Sequence, residues 1–279
     1  MPHPLVSVVM PTYNCAGFVF ETITSILTQT YPDFEFIIID DGSTDNTLDI
    51  IRTFDDSRIQ LLICQDNRGN YTCRNEGIRR AKGRYICVMD GDDIAIPHRI
   101  ARQVSILEND ESLLACGTYF EVIGGQIYIK PRSYPFIKLS LLINNMFLHP
   151  SLMIRKDTLI SIGCYSETYY YSSDYDLVCK IALQGKIINI PEVLMKYRLH
   201  SKQISSAQSV KQAGYADQTR TQYVRNLGFR LSIDEEKIFT LMMASSILSL
   251  EDIQKIEHVS EKVKKQNEEL SIYDGKQFE

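Results

Sequence analysis

Leu5-Val6-Ser7-Val8-Val9-Met10-Pro11 and Phe34-Glu35-Phe36-Ile37-Ile38-Ile39-Asp40-Asp41-Gly42-Ser43 are the two runs on which the fold turns. Each is apolar at most positions, as in a strand covered on both faces. Pro11 stops the first run and the Asp-Asp-Gly-Ser turn stops the second. Between them, Ile23, Ile26 and Leu27 recur at helical spacing within residues 21–29. Ser43, Thr44 and Asp45 are good caps for a predicted helix over 47–53. The unit then recurs as a predicted strand over 59–64, a helix over 75–81 stopped by Gly83, and a strand over 85–89 ending on Asp90. This alternation predicts an α/β fold with a Rossmann-like, mostly parallel central sheet flanked by helices. Ligands bind beyond the carboxyl ends of such strands, where the acidic clusters at 40–45 and 90–93 lie.

Further along, the spacing predicts a helix over 99–108, a hairpin of 113–123 with 126–129 about Gly124-Gly125, a helix over 139–144 and a strand over 151–154. A helix over 176–183, closed by Gly185, and a short strand over 187–190 follow. From about residue 205 the chain turns polar and helical, with Ile253, Ile256, Val259 and Val263 forming a narrow apolar stripe. Packing on the core is the simplest use of that stripe. Self-association through these helices, peripheral contact with a membrane surface, and attachment to a further segment are the alternatives.

The 279 residues are 44% hydrophobic and 23% charged, which excludes collagen-like, disulfide-dense and broadly disordered classes. A net charge of -5 without a long basic stripe argues against a nucleic-acid partner. The seven cysteines are scattered with no CxxC pair, so the spacing suggests neither a disulfide framework nor zinc, and a reducing cytoplasm is the expected location. The first residues lack the features of a secretory signal, and no run approaches the ~18 apolar residues of a spanning helix.

Asp90-Gly91-Asp92-Asp93 is the strongest chemical signal, because such dense carboxylates repel one another without a counterion. Hard cations such as Mg²⁺ or Mn²⁺ take oxygen ligands and bind diphosphates through one or two carboxylates. An EF-hand is excluded, since Ile94 and Ala101 stand where that loop needs oxygen ligands; capping of the next helix is the structural alternative. Asp40-Asp41-Gly42-Ser43 is ordinary turn chemistry on its own. Two acidic strand ends in one sheet point to a shared crevice for a nucleotide and its metal. In the loop Pro11-Thr12-Tyr13-Asn14, Tyr13 is a candidate to stack on a base, with plain turn structure as the alternative.

The ordered series Val6 to Asn14, Glu21 to Tyr31, Asp33-Phe34-Glu35 into Asp40 to Thr47, Asn67-Arg68-Gly69, Arg74-Asn75-Glu76-Gly77, Ala81 to Tyr85 and Asp90-Gly91-Asp92-Asp93 resembles the inverting nucleotide-sugar glycosyltransferases of family 2. Their fold is called GT-A, and the resemblance covers about residues 5–205. It implies a catalytic domain over 1–205, with a nucleotide-binding half (1–100) and an acceptor-binding half (101–205), followed by a helical C-terminal extension (206–279).

By this resemblance, Pro11, Tyr13 and Asp41 contact the nucleoside, and Arg74 stands near the base or diphosphate unless it forms a structural ion pair. Asp92 lies near ribose and donor sugar or binds metal, and Asp93 binds the metal, Mn²⁺ or Mg²⁺, with Asp40 and Asp90 in support. Leu148 to Arg155 resembles the acceptor-side strand, with His149 as support. Ser173-Asp174-Tyr175-Asp176-Leu177 aligns with a site where the family has Glu-Asp; the Asp is the general base, hence Asp174, while Ser173 replaces the Glu. Helix capping is the alternative for Asp174. Tyr197-Arg198-Leu199-His200, followed by Gln203, Ile204 and Ser205, resembles the closing motif, from which Arg198 or His200 reaches the diphosphate.

The implied function is metal-dependent, inverting transfer of one sugar from a nucleotide diphosphate, UDP being expected, to a glycan or lipid-linked acceptor hydroxyl in surface polysaccharide biosynthesis. The absence of a Gln-x-x-Arg-Trp motif, the chain having no Trp, argues against a processive synthase. A sugar-nucleotide pyrophosphorylase needs a Gly-rich basic loop where this chain has Pro11 to Cys15. A degenerate nucleotide-sugar or glycan-binding module is the non-enzymatic alternative, and Asp174 weighs against it.

Overall fold

The computed structural model describes residues 5–169, 171–200, 203, 209–243 and 250–278. Its first half is the predicted alternation: β1 (Val6–Thr12), α1 (Val19–Leu27), β2 (Phe34–Asp40), α2 (Thr47–Arg52), β3 (Ile59–Ile63), α3 (Asn70–Arg80) and β4 (Tyr85–Val88). These strands lie in the order β3-β2-β1-β4 and all pair in parallel, with Val6 beside both Phe34 and Tyr85. β1 continues through Pro11, where a stop was expected. Because β4 pairs with β1 only as far as Val9, Pro11 is flanked by β2 alone and its missing N–H interrupts no ladder on the β4 side.

Beyond β4 the sheet turns mixed. β8 (Met153–Arg155) pairs antiparallel with β4 and β6 (Leu113–Val122), and β9 (Lys186–Tyr197) runs parallel to β6. A two-residue β5 (Ile94–Ala95), which the sequence did not suggest, pairs antiparallel with the end of β9. β7 (Ile127–Tyr128) forms the expected hairpin with β6. The expected strand over 187–190 is the first part of a much longer one. Pro191-Glu192 interrupts its apolar pattern, and a register shift absorbs both residues: Ile190 faces Thr118, and Val193 faces the next residue, Tyr119.

The remaining helices are α4 (Arg99–Asn109), α5 (Tyr134–Ser140), α6 (Lys156–Ser161), α7 (Ser173–Gln184), α8 (Ser209–Asn226), α9 (Ile233–Met243), α10 (Leu250–Leu270) and α11 (Gly275–Phe278). α5 starts earlier than the apolar run at 139–144 suggested, since Pro135 favours the first turn of a helix. α3 starts five residues before the predicted helix, and its first turn carries Tyr71, Cys73 and Arg74 toward the strand ends. The boundary expected near 205 lies outside the described residues, as do Ile204 and Ser205.

One face of the sheet carries α1, α2 and α4 over Val8, Met10, Phe36 and Ile38. On the other, Val9, Ile37 and Ile39 pack in one continuous cluster with α7 and with Tyr223, Val224, Phe239, Val259 and Val263 of the C-terminal helices. Of the sequence's apolar stripe, Val259 and Val263 are buried while Ile253 is 43% exposed. Arg220 of α8 donates to the Ile143 carbonyl at 2.7 Å and the Tyr223 hydroxyl to that of Lys138 at 3.1 Å, tying these helices to α5 and the segment after it. Among the described residues, no helix is long and apolar enough to cross a membrane.

Gly83 is the tightest point of this packing. A Cβ there would sit 2.5 Å from the Ser7 backbone nitrogen. Overpacking of this kind costs ~1–3 kcal/mol, so Gly83→Ala should lower the urea midpoint markedly. Gly214 lies on the exposed side of α8, where an added Cβ would meet nothing within 4 Å. It should respond in the opposite sense, Gly214→Ala adding ~0.5–1 kcal/mol of helix stability.

Candidate active site

A cleft of about 660 Å³ opens beyond the carboxyl ends of β1, β2 and β4. Asp40, buried at the end of β2, accepts from the Ser43 amide at 3.0 Å and the Ser43 hydroxyl at 2.6 Å. The Thr12 hydroxyl donates to it at 3.3 Å. Asp40 therefore builds the turn rather than facing a ligand. Gly42 gives the turn its left-handed φ of 73°, and a Cβ there would meet the Asp66 backbone at 3.0 Å. Asp41, on the cleft wall, accepts the amides of Arg68 and Gly69, both at 2.8 Å, which pins the loop after β3 across the end of β2. Pro11 and Tyr13 line the same end, with Tyr13 48% exposed and its ring free to receive a planar group.

The acidic turn after β4 is held from three sides. Arg74, fully buried in α3, donates to the carbonyls of Val9 and Met89 and at 2.5 Å to Asp90. This corrects the expectation that Arg74 touches the base or diphosphate: its guanidinium is the ion pair beneath the turn and is absent from the cleft wall. Of the alternatives Arg198 or His200, Arg198 is not among the residues of the cleft wall. Its backbone amide donates to Asp93 at 2.9 Å, while its side chain bonds the Asp92 carbonyl and Glu21 and lies over the Phe18 ring, so its donors are engaged by the protein beside the cleft. His200 does line the cleft, its Nε2 2.9 Å from Asp92.

Asp93 is buried behind the wall, with one carboxylate oxygen on the Arg198 amide and the other without a partner. Burial pushes its carboxyl well above the ordinary range, and the neighbouring charges of Asp92 and Asp90 add to this. Asp92 is raised by burial and by Asp90, against the opposing pull of His200. An unpartnered buried oxygen among mutually repelling carboxylates fits a hard divalent cation, with Asp92 and Asp93 to hold it.

The facing wall comes from the segment before β8 and from α7. Asp174, in the first turn of α7, accepts from the Asn145 side-chain amide at 3.0 Å and the Tyr71 hydroxyl at 3.4 Å. Burial raises its carboxyl, opposed by the Tyr175 amide and Asn145. Tyr71 stacks on Tyr165, whose hydroxyl lies 3.1 Å from His149 Nε2. Burial, reinforced by the Arg74 charge, pushes the His149 imidazole well below its usual value, so it is neutral near pH 7. Ser173, where the family has Glu, is buried with its hydroxyl unpartnered.

Sequence reasoning missed Asn145 and Tyr71, and it placed Gln203 in the closing motif without giving it a role. Gln203 accepts from the His200 amide at 3.3 Å, donates to the Arg198 carbonyl and lines the cleft. The approach of Asn145 to Asp174 carries no local sequence signal, because 29 residues separate them.

Comparison with known proteins identifies the class. The description "Glycosyl transferase family 2" matches residues 7–175, more than half of the chain. A Methanocaldococcus jannaschii protein named as an uncharacterized glycosyltransferase is 35% identical over 237 residues, 81% of this chain and 81% of that one. The Escherichia coli UDP-Glc:alpha-D-GlcNAc-diphosphoundecaprenol beta-1,3-glucosyltransferase WfgD is 31% identical over 211 residues, 74% of this chain and 81% of WfgD. Among solved structures, residues 1–349 of S. aureus TarS in complex with UDP-GlcNAc share the fold with a TM-score of 0.70 at 15% identity, over 96% of this chain and 83% of that one. The mannosyltransferase PcManGT of Pyrobaculum calidifontis, in complex with GDP-Man and Mn²⁺, gives a TM-score of 0.66 at 22% identity, over 94% of this chain and 75% of that one. The chain belongs to glycosyl transferase family 2 and is a glycosyltransferase of GT-A fold.

The buried Asp93 charge gives a test of the cation site. Its raised carboxyl means that the folded state loses stability as pH climbs from the unfolded-state value to the higher folded one, a cost absent below the first and fully present above the second. Asp93→Asn should therefore raise the metal-free Tm at pH 8 more than at pH 5, by ~2–4 °C for each kcal/mol relieved. Mn²⁺ should stabilise the natural protein in a thermal scan and leave Asp93→Asn unmoved.

Proposed function

We propose that this enzyme transfers one sugar, with inversion, from a nucleoside diphosphate donor to a hydroxyl of a glycan or lipid-linked acceptor, with UDP as the nucleotide and surface polysaccharide as the product class. The observation that carries this reading is Asp174: an oriented carboxylate, raised toward neutrality, on the same cleft as the nucleotide-side carboxylates Asp41 and Asp92. The E. coli relative's name, with a UDP-sugar donor and a diphosphoundecaprenol-linked acceptor, and the ligands of the two structural neighbours support it. In this reading residues 1–100 bind the nucleotide, 101–205 bind the acceptor, and 206–279 form the helical extension.

The mechanism follows from the placement of groups. Asp41 and Tyr13 receive the nucleoside at the β2 end of the cleft. Asn145 and Tyr71 fix the orientation of the Asp174 carboxylate, which takes the proton from the acceptor hydroxyl as that oxygen attacks the anomeric carbon from the side opposite the diphosphate. His149, neutral, braces Tyr165 and through it Tyr71. Asp92 and Asp93 would hold Mn²⁺ or Mg²⁺, which when bound would supply charge neutralisation for the departing diphosphate. Arg74 and Arg198 act beneath this surface by fixing the turn that carries those carboxylates.

Asp174→Asn should leave UDP-sugar affinity by calorimetry within about twofold while lowering transfer ~10²–10⁴-fold, the usual worth of a positioned base. Asp41→Ala should instead lose nucleotide affinity. Equal loss of UDP binding in both variants would overturn the division of roles, and nucleotide binding without transfer in the natural protein toward any acceptor panel would favour a binding module. Because Asp174 must be ionised, kcat/KM should fall on the acid side through a value above the ordinary carboxylate range. Asn145→Leu removes a hydrogen bond that favours the charged form, so it should move that acid limb to higher pH.

A further inference from the structure

The spacing of the cysteines suggested no metal chemistry, but the fold brings two of them together beside Asp41. Cys64 follows β3, and its amide donates to the Asp40 carbonyl at 2.8 Å, which fixes it next to the end of β2. Cys73 lies in the first turns of α3, its amide on the Gly69 carbonyl at 3.1 Å, and the Gly69 amide is itself held by Asp41. Both sulfurs and an Asp41 carboxylate oxygen therefore fall within 4.8 Å of one another, with the sulfurs 3.9 Å apart. Two thiolates bound to one tetrahedral zinc ion, each at about 2.3 Å, stand about 3.8 Å apart. The sulfurs already have that spacing without bonding to each other, and all seven cysteines are free thiols.

We infer that Cys64, Cys73 and Asp41 form a binding site for a soft divalent cation such as Zn²⁺, separate from the oxygen-ligand site at Asp92 and Asp93. Cys73 is wholly buried and its thiol is pushed up by burial, so it gives up its proton only when a cation replaces it. Cys64 is half-buried, which gives the ion its way in. The exposed Arg68, whose guanidinium donates to the Cys64 sulfur at 2.9 Å, occupies that approach and must give up this hydrogen bond as the ion arrives. Binding releases the two thiol protons, so affinity rises with pH. Three protein ligands leave a fourth position for water, as in open zinc sites. Where Asp41 receives the nucleoside, as proposed above, occupation of this site draws that carboxylate away and weakens donor binding.

Cobalt(II) reports this directly, because only sulfur ligation gives an intense thiolate-to-cobalt charge-transfer band in the near ultraviolet. The full chain, freshly reduced and freed of reductant under argon, should develop the band with one equivalent of Co²⁺, and Zn²⁺ should abolish it. Cys73→Ala should weaken cobalt binding by more than ~100-fold, beyond what losing an outer-shell partner costs. Cys64→Ser, at a half-buried position tolerant of substitution, should do the same, while Asp93→Asn should leave the band intact. Absence of the band, or its survival in Cys64→Ser, overturns the site. With Mg²⁺ in excess, Zn²⁺ should lower UDP affinity at least tenfold in the natural protein and not in Cys64→Ser. A sulfur band accompanied by unchanged UDP affinity upholds the metal site and instead removes Asp41 from the nucleoside.

Discussion

The acidic end of the cleft depends on one buried cation. Arg74 has no exposed surface, yet its guanidinium reaches the carbonyls of Val9 and Met89, the Asn70 side chain and the Asp90 carboxylate. Those four acceptors belong to β1, the end of β4, α3 and the acidic turn. A planar fork of donors can satisfy such a set at fixed angles, whereas a lysine ammonium cannot. Losing either partner of a buried ion pair strands the other, at a cost of ~3–5 kcal/mol. The same guanidinium lies 5.8 Å from the centre of the Tyr165 ring and helps hold His149 neutral, so it governs the acceptor wall as well.

Two kinds of raised carboxyl result, and their physics differs. At Asp92 and Asp93 burial is compounded by neighbouring negative charge, so a cation relieves both contributions at once. At Asp174 burial acts without a crowding carboxylate, and hydrogen bonds from neutral donors oppose it. The first environment calls for a counterion; the second raises a single carboxyl that neutral donors orient. One cleft thus holds acidic groups of two kinds, set apart by their surroundings alone.

The parallel half of the sheet was readable because each strand is an uninterrupted apolar run ending in acidic or small residues, and 3.6-residue spacing marks α1 clearly. The acceptor half was less so, for identifiable reasons. β5 is two residues long and exists only through pairing with β9. Pro191-Glu192 hides the continuity of β9, and the polar first turns of α3 concealed Tyr71 and Arg74 on a helix. At the site, the types and places of Asp41, Asp92, Asp174 and His200 were legible, whereas the duties of Arg74 and Arg198 were not. A basic residue near an anion site looks the same in sequence whether it faces the ligand or the scaffold; burial and partners, set by tertiary packing, decide between them. Asn145 escaped notice because its partner is remote in the chain.

The hydrogen bond from the Arg198 amide to Asp93 closes a loop of 105 residues. β9, which leads into Arg198, must be laid against β5 and β6 before the acidic turn acquires this backbone donor. Contacts of such sequence separation form late, because the entropy of closing the loop is lost before the contact returns anything. On a ribosome, the first hundred residues would thus emerge with strand ends assembled but with Asp93 unlatched. Completion of the acidic turn is thereby deferred until β9 exists, so the N-terminal strands and the turn they lead into are finished in separate folding events.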